Sequence, residues 1–266
     1  MNPAVLEPLA ARYATWLRLP AEATADTDDE APDQVRAMPV ILRVERAAPP
    51  ARTAVLEAAA AAAIAVCLDP LAEPDGPWHA AVVAWLDGRI RKVTRRARGA
   101  HWAAVAALPG VTQTVGGAQA RALVPGRVLD SPKEVTRLQI SGSELEPDDP
   151  GPAPPDAPVL WLNPAVEMTA GKAAAQVGHA TMLLAALLHA DGRDDALASW
   201  SAADFRVAVR TPTSARWRAL HPGEDPGPAW HTRQVVAVRD AGFTEVAPGT
   251  VTVLAQWPTP SPTPAP

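Results

Sequence analysis

The apolar run Pro158-Val159-Leu160-Trp161-Leu162-Asn163 leads, through a short connection at Met168 and Thr169, into Gly171-Lys172-Ala173-Ala174-Ala175-Gln176-Val177-Gly178-His179-Ala180. A short apolar run followed by an alanine-rich segment predicts a strand, a turn and a helix, with Thr169 as N-cap. A strand that hands over to a helix in this way ties the chain to a layered α/β architecture. Within the helix Lys172, Gln176 and His179 stand at i, i+4 and i+7 and share one side. Val177, Ala180, Leu184 and Leu187 lie on another stripe, suited to packing on a sheet. Polar groups beside a helix N-terminus suit an anion or a polarised carbonyl. The spacing alone describes a solvated helix face equally well.

The same alternation runs through the whole chain. Residues Val5 to Leu19 read as an amphipathic helix with Pro8 in its first turn, and Ala21 to Asp33 as a mobile acidic linker. Strands are expected at 39–44, 90–97, 111–115 and 135–140, with helices at 52–68, 78–86 and 101–108 between them. Glu144 to Ala157 is acidic and proline-rich, the composition of an interdomain linker. Beyond it come strands at 159–162, 205–209, 235–238 and 251–256, helices at 172–189 and 214–220, and a loop from Pro222 to Pro228. The tail from Pro258 carries only Pro, Thr, Ser and Ala and is expected to be disordered. This divides the chain into an N-terminal helix and linker (1–38), a first domain (39–146), a linker (147–157), a second domain (158–257) and a tail (258–266). Each domain is expected to be α/β, with a small mixed sheet and helices on its faces.

The halves invite superposition. Pro39-Val40 against Pro158-Val159 gives an offset of 158 − 39 = 119, Trp102 against Trp217 gives 217 − 102 = 115, and Pro125-Gly126 against Pro248-Gly249 gives 248 − 125 = 123. At those offsets Thr53 stands for Lys172, Glu57 for Gln176, Ala60 for His179 and Gly117 for position 240, so the first half reads as a degenerate copy that has lost its polar groups.

Of 266 residues, a net charge of −5 gives no global basic field to announce a nucleic-acid partner, so any such partner would meet a local patch. The single cysteine, Cys67, excludes an intramolecular disulfide and suits a reducing compartment. The longest apolar run, Ala58 to Leu68, falls short of the roughly 20 residues needed to cross a bilayer, and no basic n-region precedes an apolar stretch. The expectation is a soluble, cytoplasmic protein that engages no membrane.

A second stretch bears on the polar stripe: Asp240-Ala241-Gly242-Phe243-Thr244-Glu245-Val246-Ala247-Pro248-Gly249-Thr250-Val251-Thr252-Val253-Leu254. Together the two segments, in this order and at this separation, resemble the signature of the type II peptidyl-tRNA hydrolases. That family carries a G-K-x-A-A-Q-x-x-H-A helix and a D-A-G-x-T-[QE]-x-x-P-G-[ST]-x-T-V-L segment. The resemblance covers about Ala157 to Trp257 and departs from the family at Asn163-Pro164-Ala165, where an Arg-x-Asp is usual. It implies three-layer α/β/α domains, peptidyl-tRNA (or a related N-blocked aminoacyl-tRNA) as partner and substrate, and hydrolysis of its ester bond without a metal or an organic cofactor. Because the family works as a homodimer of about 120-residue subunits, a tandem chain implies a monomer with internal pseudo-two-fold symmetry.

Ester hydrolysis needs a positioned water, donors for the developing oxyanion and a surface for phosphates. Asp240 can hold the water, and Lys172 can meet the oxyanion or a terminal phosphate. Thr244 and Thr250 can orient Asp240 or the ribose, with Gln176 and His179 completing a polar wall; Thr252 reads as ordinary strand packing. A catalytically silent tRNA- or ribosome-binding module remains the alternative. Arg89-Ile90-Arg91-Lys92-Val93-Thr94-Arg95-Arg96-Ala97-Arg98 is a solvated edge strand or a phosphate-binding strip, with Arg91, Arg95 and Arg96 as candidate tRNA contacts. Other chemistries do not fit. The P-loop spacing fails because Val166 holds the first glycine position and Ala173 replaces Ser/Thr. The histidines show no zinc spacing, and there is no G-x-S-x-G elbow.

Overall fold

The computed structural model describes residues 1–140, 145–223 and 225–258, so the expected tail lies almost wholly outside the described residues. After a 3-10 turn at Pro3–Leu6, the chain runs α1 (Glu7–Arg18), β1 (Arg36–Arg43), α2 (Arg52–Leu68), α3 (His79–Leu86), β2 (Lys92–Ala97), α4 (Gly99–Ala106), β3 (Gly110–Val115), β4 (Ala118–Leu123), β5 (Gly126–Arg127) and α5 (Lys133–Thr136). The second half continues with β6 (Val159–Leu162), α6 (Ala170–Ala190), α7 (Asp194–Ala202), β7 (Ala208–Arg210), α8 (Ser214–Leu220), α9 (Pro226–Arg233), β8 (Val235–Arg239) and β9 (Val251–Gln256).

Two separate mixed sheets result. The first has the order β2-β1-β4-β3, with the short β5 paired to β1; the second has the order β7-β6-β9-β8. Pairing senses also agree: β1–β2 and β6–β7 are parallel, and the remaining pairs along each path are antiparallel. Strand alternation fixes which face looks inward. Met38, Val40 and Leu42 join the central core, while Ile41 turns outward to Trp102 and Val105 on α4 and to Val135. Likewise Leu160, Val236, Val238, Val253 and Ala255 face inward, and Val235, Ala237 and Leu254 pack outward on Trp217 and Leu220 of α8.

Between the sheets lie α2 and α6, packed on one another along most of their length. Their alanines make this close approach possible. A Cβ added at Gly178 would meet Ala63 Cβ at 3.0 Å and Lys92 Cε at 3.1 Å. Thr181, buried in the seam, donates its hydroxyl to the Ala60 carbonyl at 2.9 Å, and the Glu57 carboxylate accepts from Arg210 Nη1 and Val209 N at 3.0 Å each. The central core is therefore continuous between the halves. By length and composition α6 could span a bilayer, but 72% of its apolar window is buried inside the protein, as in a core helix.

α1 closes the exposed edge of the second sheet. Tyr13 accepts from the Ala237 amide on edge strand β8 at 2.7 Å, and burial raises its phenol pKa. Arg12 of the same helix donates to the Leu86 carbonyl of the first half at 2.6 Å. The acidic segment 21–33, expected to be mobile, is instead laid against both halves: Thr24 is buried beside Ala241, and Asp29 and Glu30 pair with Arg89 and Arg91.

The expected strand at 135–140 is replaced by α5 and a single bridge between Gln139 and Arg96. Val135 and Leu138 are the buried positions, at a helical spacing of three, and Pro132 caps the turn. The expected offsets between the halves also need correction. Ile41 and Trp161 both face outward, at a separation of 161 − 41 = 120 rather than 119, and a one-residue slip would set an outward residue against an inward one. Their partners Arg121 and Leu254 give 254 − 121 = 133. Pro125-Gly126 follows β4, whereas Pro248-Gly249 precedes β9, so those dipeptides are not equivalent.

Candidate functional site

Thr169 caps α6 by accepting from the Lys172 amide at 3.1 Å. Its own amide and hydroxyl donate to the two oxygens of Glu245, at 3.0 and 2.8 Å. A carboxylate at a helix N-terminus is favoured by the helix dipole. The place expected to receive a substrate anion is therefore already held by a side chain of this chain.

One turn into the helix the polar cluster begins. Asp240 follows β8, and its backbone is fixed by two bonds, its amide to the Thr250 carbonyl at 2.8 Å and its carbonyl to the Gly249 amide at 2.9 Å. Gly242 allows the chain to turn sharply behind it: φ is +84°, and an added Cβ would stand 2.5 Å from Pro248. The Asp240 carboxylate, 8% exposed, accepts from Lys172 Nζ at 2.6 Å and Gln176 Nε2 at 2.7 Å on Oδ2, and from the Gly242 amide at 2.7 Å on Oδ1. Lys172 Nζ also donates to Thr244 Oγ1 at 3.0 Å. Gln176 is buried and oriented from behind, because Thr252 donates its hydroxyl to Gln176 Oε1. Lys172, Gln176, Asp240 and Thr244 thus form one connected network across the two sequence motifs.

That network has defined chemical capacity. An ionised carboxylate offers about four acceptor sites, so Asp240 keeps room for one more donor, such as a water. The Lys172 ammonium has a third N–H for an oxygen ligand, and the Thr244 hydroxyl can still donate.

Two expected members stand apart. The Thr250 hydroxyl donates to the Ala247 carbonyl at 2.7 Å, so Thr250 supports Asp240 through its backbone and not its side chain. His179 turns to the first half, with Nδ1 3.1 Å from Lys92 Nζ on β2. Burial, reinforced by the positive charges of Lys92 and Lys172, holds the His179 imidazole well below its ordinary pKa. Burial likewise brings Lys92 down to about 7, and its ammonium lies 5.1 Å from the centre of the Trp85 ring.

Of the basic strip, Arg95 donates to the Leu138 carbonyl at 2.7 Å and Arg96 to Gln139, so both hold the α5 segment against β2. Arg91 is paired with Glu30 and stacks its guanidinium 5.1 Å from the centre of the Phe243 ring. Thr252 and Glu245 are the members of the candidate site that sequence reasoning missed. A buried hydroxyl reads as strand packing until its partner is known, and the Glu245–Thr169 contact joins residues 76 positions apart.

Asn163 serves local structure where the resembled family carries an arginine: it donates Nδ2 to the Val251 carbonyl at 2.7 Å and accepts from the Ala165 amide at 2.9 Å. The network's two motifs fall within one matched segment. Residues 158–263 match the family model of peptidyl-tRNA hydrolase PTH2. No curated protein and no solved structure matches the chain. The PTH2 match takes in the second sheet, α6 and the whole polar network, and stops short of the first half.

Proposed function

We propose that the second half is a peptidyl-tRNA hydrolase site, releasing peptide and free tRNA by hydrolysis of the ester that joins them. The observation that carries this reading is the network closed by Lys172, Gln176, Asp240 and Thr244 inside the segment that matches PTH2. Asp240 holds the attacking water and assists loss of its proton, the acyl–ribose bond breaks and a proton is returned to the departing ribose oxygen, while the free N–H of Lys172 meets the carbonyl oxygen as it becomes an oxyanion. Thr244 orients the ribose side of the ester. Gln176, steadied by Thr252, keeps the carboxylate turned to the water. His179 acts at one remove, in the seam with Lys92. Such an enzyme belongs in the cytoplasm, where peptidyl-tRNA arises.

In this reading the first half is a copy that keeps packing and has lost its site. The matched strand order supports it, as does the use to which α2 puts its polar groups. Thr53 binds Asp148 of the linker, Glu57 binds Arg210, and the Ala60 carbonyl accepts from Thr181, all of them packing contacts. The α2–α6 seam then stands in place of a subunit interface, and the chain is a monomer with internal pseudo-two-fold symmetry.

A second reading, tRNA binding without turnover, is favoured by one observation. Lys172 and Asp240 neutralise each other at 2.6 Å with both side chains 8% exposed, so a substrate must work around an intact pair. Release of peptide from purified peptidyl-tRNA, with tRNA binding followed in parallel, separates the two. Turnover supports the hydrolase, and binding without turnover supports the module.

A further inference from the structure

Phe243 is about half exposed (47%) although it sits between Gly242, which donates to Asp240, and Thr244, which accepts from Lys172. Its loop is not free to fold the ring away. The backbone bonds around Asp240 pin it at one end, and the Gly242–Pro248 packing pins it at the other. Against the ring lies the guanidinium of Arg91, delivered by the first half just ahead of β2 and locked by Glu30 at 2.5 to 2.7 Å. Arg91 and Glu30 are both mostly buried. The ring is therefore backed by a fixed cation and about half exposed, on a loop whose neighbouring residues Gly242 and Thr244 are tied into the polar network. An exposed aromatic residue held in this way is a stacking platform for a planar group.

We propose that Phe243, backed by Arg91, is the stacking subsite for the terminal nucleobase of the RNA whose ribose carries the ester. The inference rests on the hydrolase reading above for its choice of ligand. In peptidyl-tRNA the peptide varies in sequence, whereas the CCA end is shared, so a rigid aromatic surface is matched to the constant base. With the ribose ester at Lys172 and Thr244, the base attached to that ribose falls beside Phe243, the residue that precedes Thr244 in the loop. Because Glu30 neutralises Arg91, the subsite works through the π-face and not by capturing phosphate. The first half, without a network of its own, thereby completes the site in the second.

The test is binding of the trinucleotide CCA, labelled at its 5′ end, against the same trinucleotide with an abasic terminal ribose. The full native chain should favour the intact probe by about tenfold, the size of one base–aromatic stack. Phe243→Ala should abolish that preference and Phe243→Trp should keep it, with Arg91→Gln reducing it. Equal or undetectable affinity of the native chain for both probes overturns the proposal, as does a preference that survives Phe243→Ala. Peptide release measured on the same preparation separates the two inferences. Discrimination without turnover retains the subsite and removes the hydrolase, whereas turnover without discrimination removes the subsite alone.

Discussion

Replacing Lys92 by Met removes an ammonium from the seam between the halves while retaining the stem that packs on Gly178. Burial lowers the Lys92 pKa from 10.5 to about 7, opposed weakly by Cys67, whose own thiol is pushed up to about 12. His179, Trp85, Cys67 and, through its effect on His179, Lys172 make up the surroundings. Between pH 7 and 10.5 the unfolded chain holds a proton at Lys92 that the folded chain lacks, so stability rises with pH across that window. Below pH 7 both states are protonated and the folded state bears the full penalty. The difference of 10.5 − 7 = 3.5 pH units corresponds to at most about 5 kcal/mol, of which about 3 kcal/mol is relieved between pH 7 and 9.5. Lys92→Met should therefore stabilise the protein at pH 7 by up to a few kcal/mol, offset in part by the lost contacts to His179 and Trp85. Urea unfolding of both proteins at pH 7 and 9.5 checks this. The native chain should gain on the variant as pH rises, and a gap that stays constant or widens with pH would refute the burial argument.

Thr252→Val keeps shape but leaves the buried Gln176 Oε1 without its donor, costing about 1–3 kcal/mol in denaturant unfolding and lowering peptide release. Gly242→Ala forces a Cβ to within 2.5 Å of Pro248 at a φ of +84°, so it should abolish peptide release while circular dichroism still reports both sheets. A chain beginning at Ala157 would bare the face of α6 that packs on α2. Sedimentation should find the full chain monomeric and this segment dimeric or aggregated, and a well-behaved monomeric second half would refute the tandem account.

Some elements were legible in the sequence. α2, β6, α8 and β9 span the residues that composition and apolar pattern assign to them. β4 was not, because Ala118-Gln119-Ala120-Arg121-Ala122-Leu123 has little strand propensity; its alanines suit a sheet face pressed close to the alanines of α2. α9 was hidden in a proline-rich stretch, although Asp225 caps it and Pro226 sits in its first turn, where the missing amide is harmless. At the site, the residues joined within each motif were readable from spacing. What spacing cannot carry is direction across the seam: His179 lies on the same helix as Lys172 yet answers to Lys92, and the Thr250 hydroxyl turns back to its own loop. Those choices are made by tertiary packing between the two halves.

The most direct test is the rate of peptide release from a purified peptidyl-tRNA by the native chain, by Asp240→Asn and by Lys172→Ala. Asp240→Asn keeps the size of the side chain but removes its charge, and Lys172→Ala removes the donor for the oxyanion. The account predicts turnover in the native chain and a loss of about 10²–10⁴-fold in each variant, with tRNA affinity changed far less. Native turnover that persists in Asp240→Asn, or a native chain that binds tRNA and releases no peptide, would contradict it.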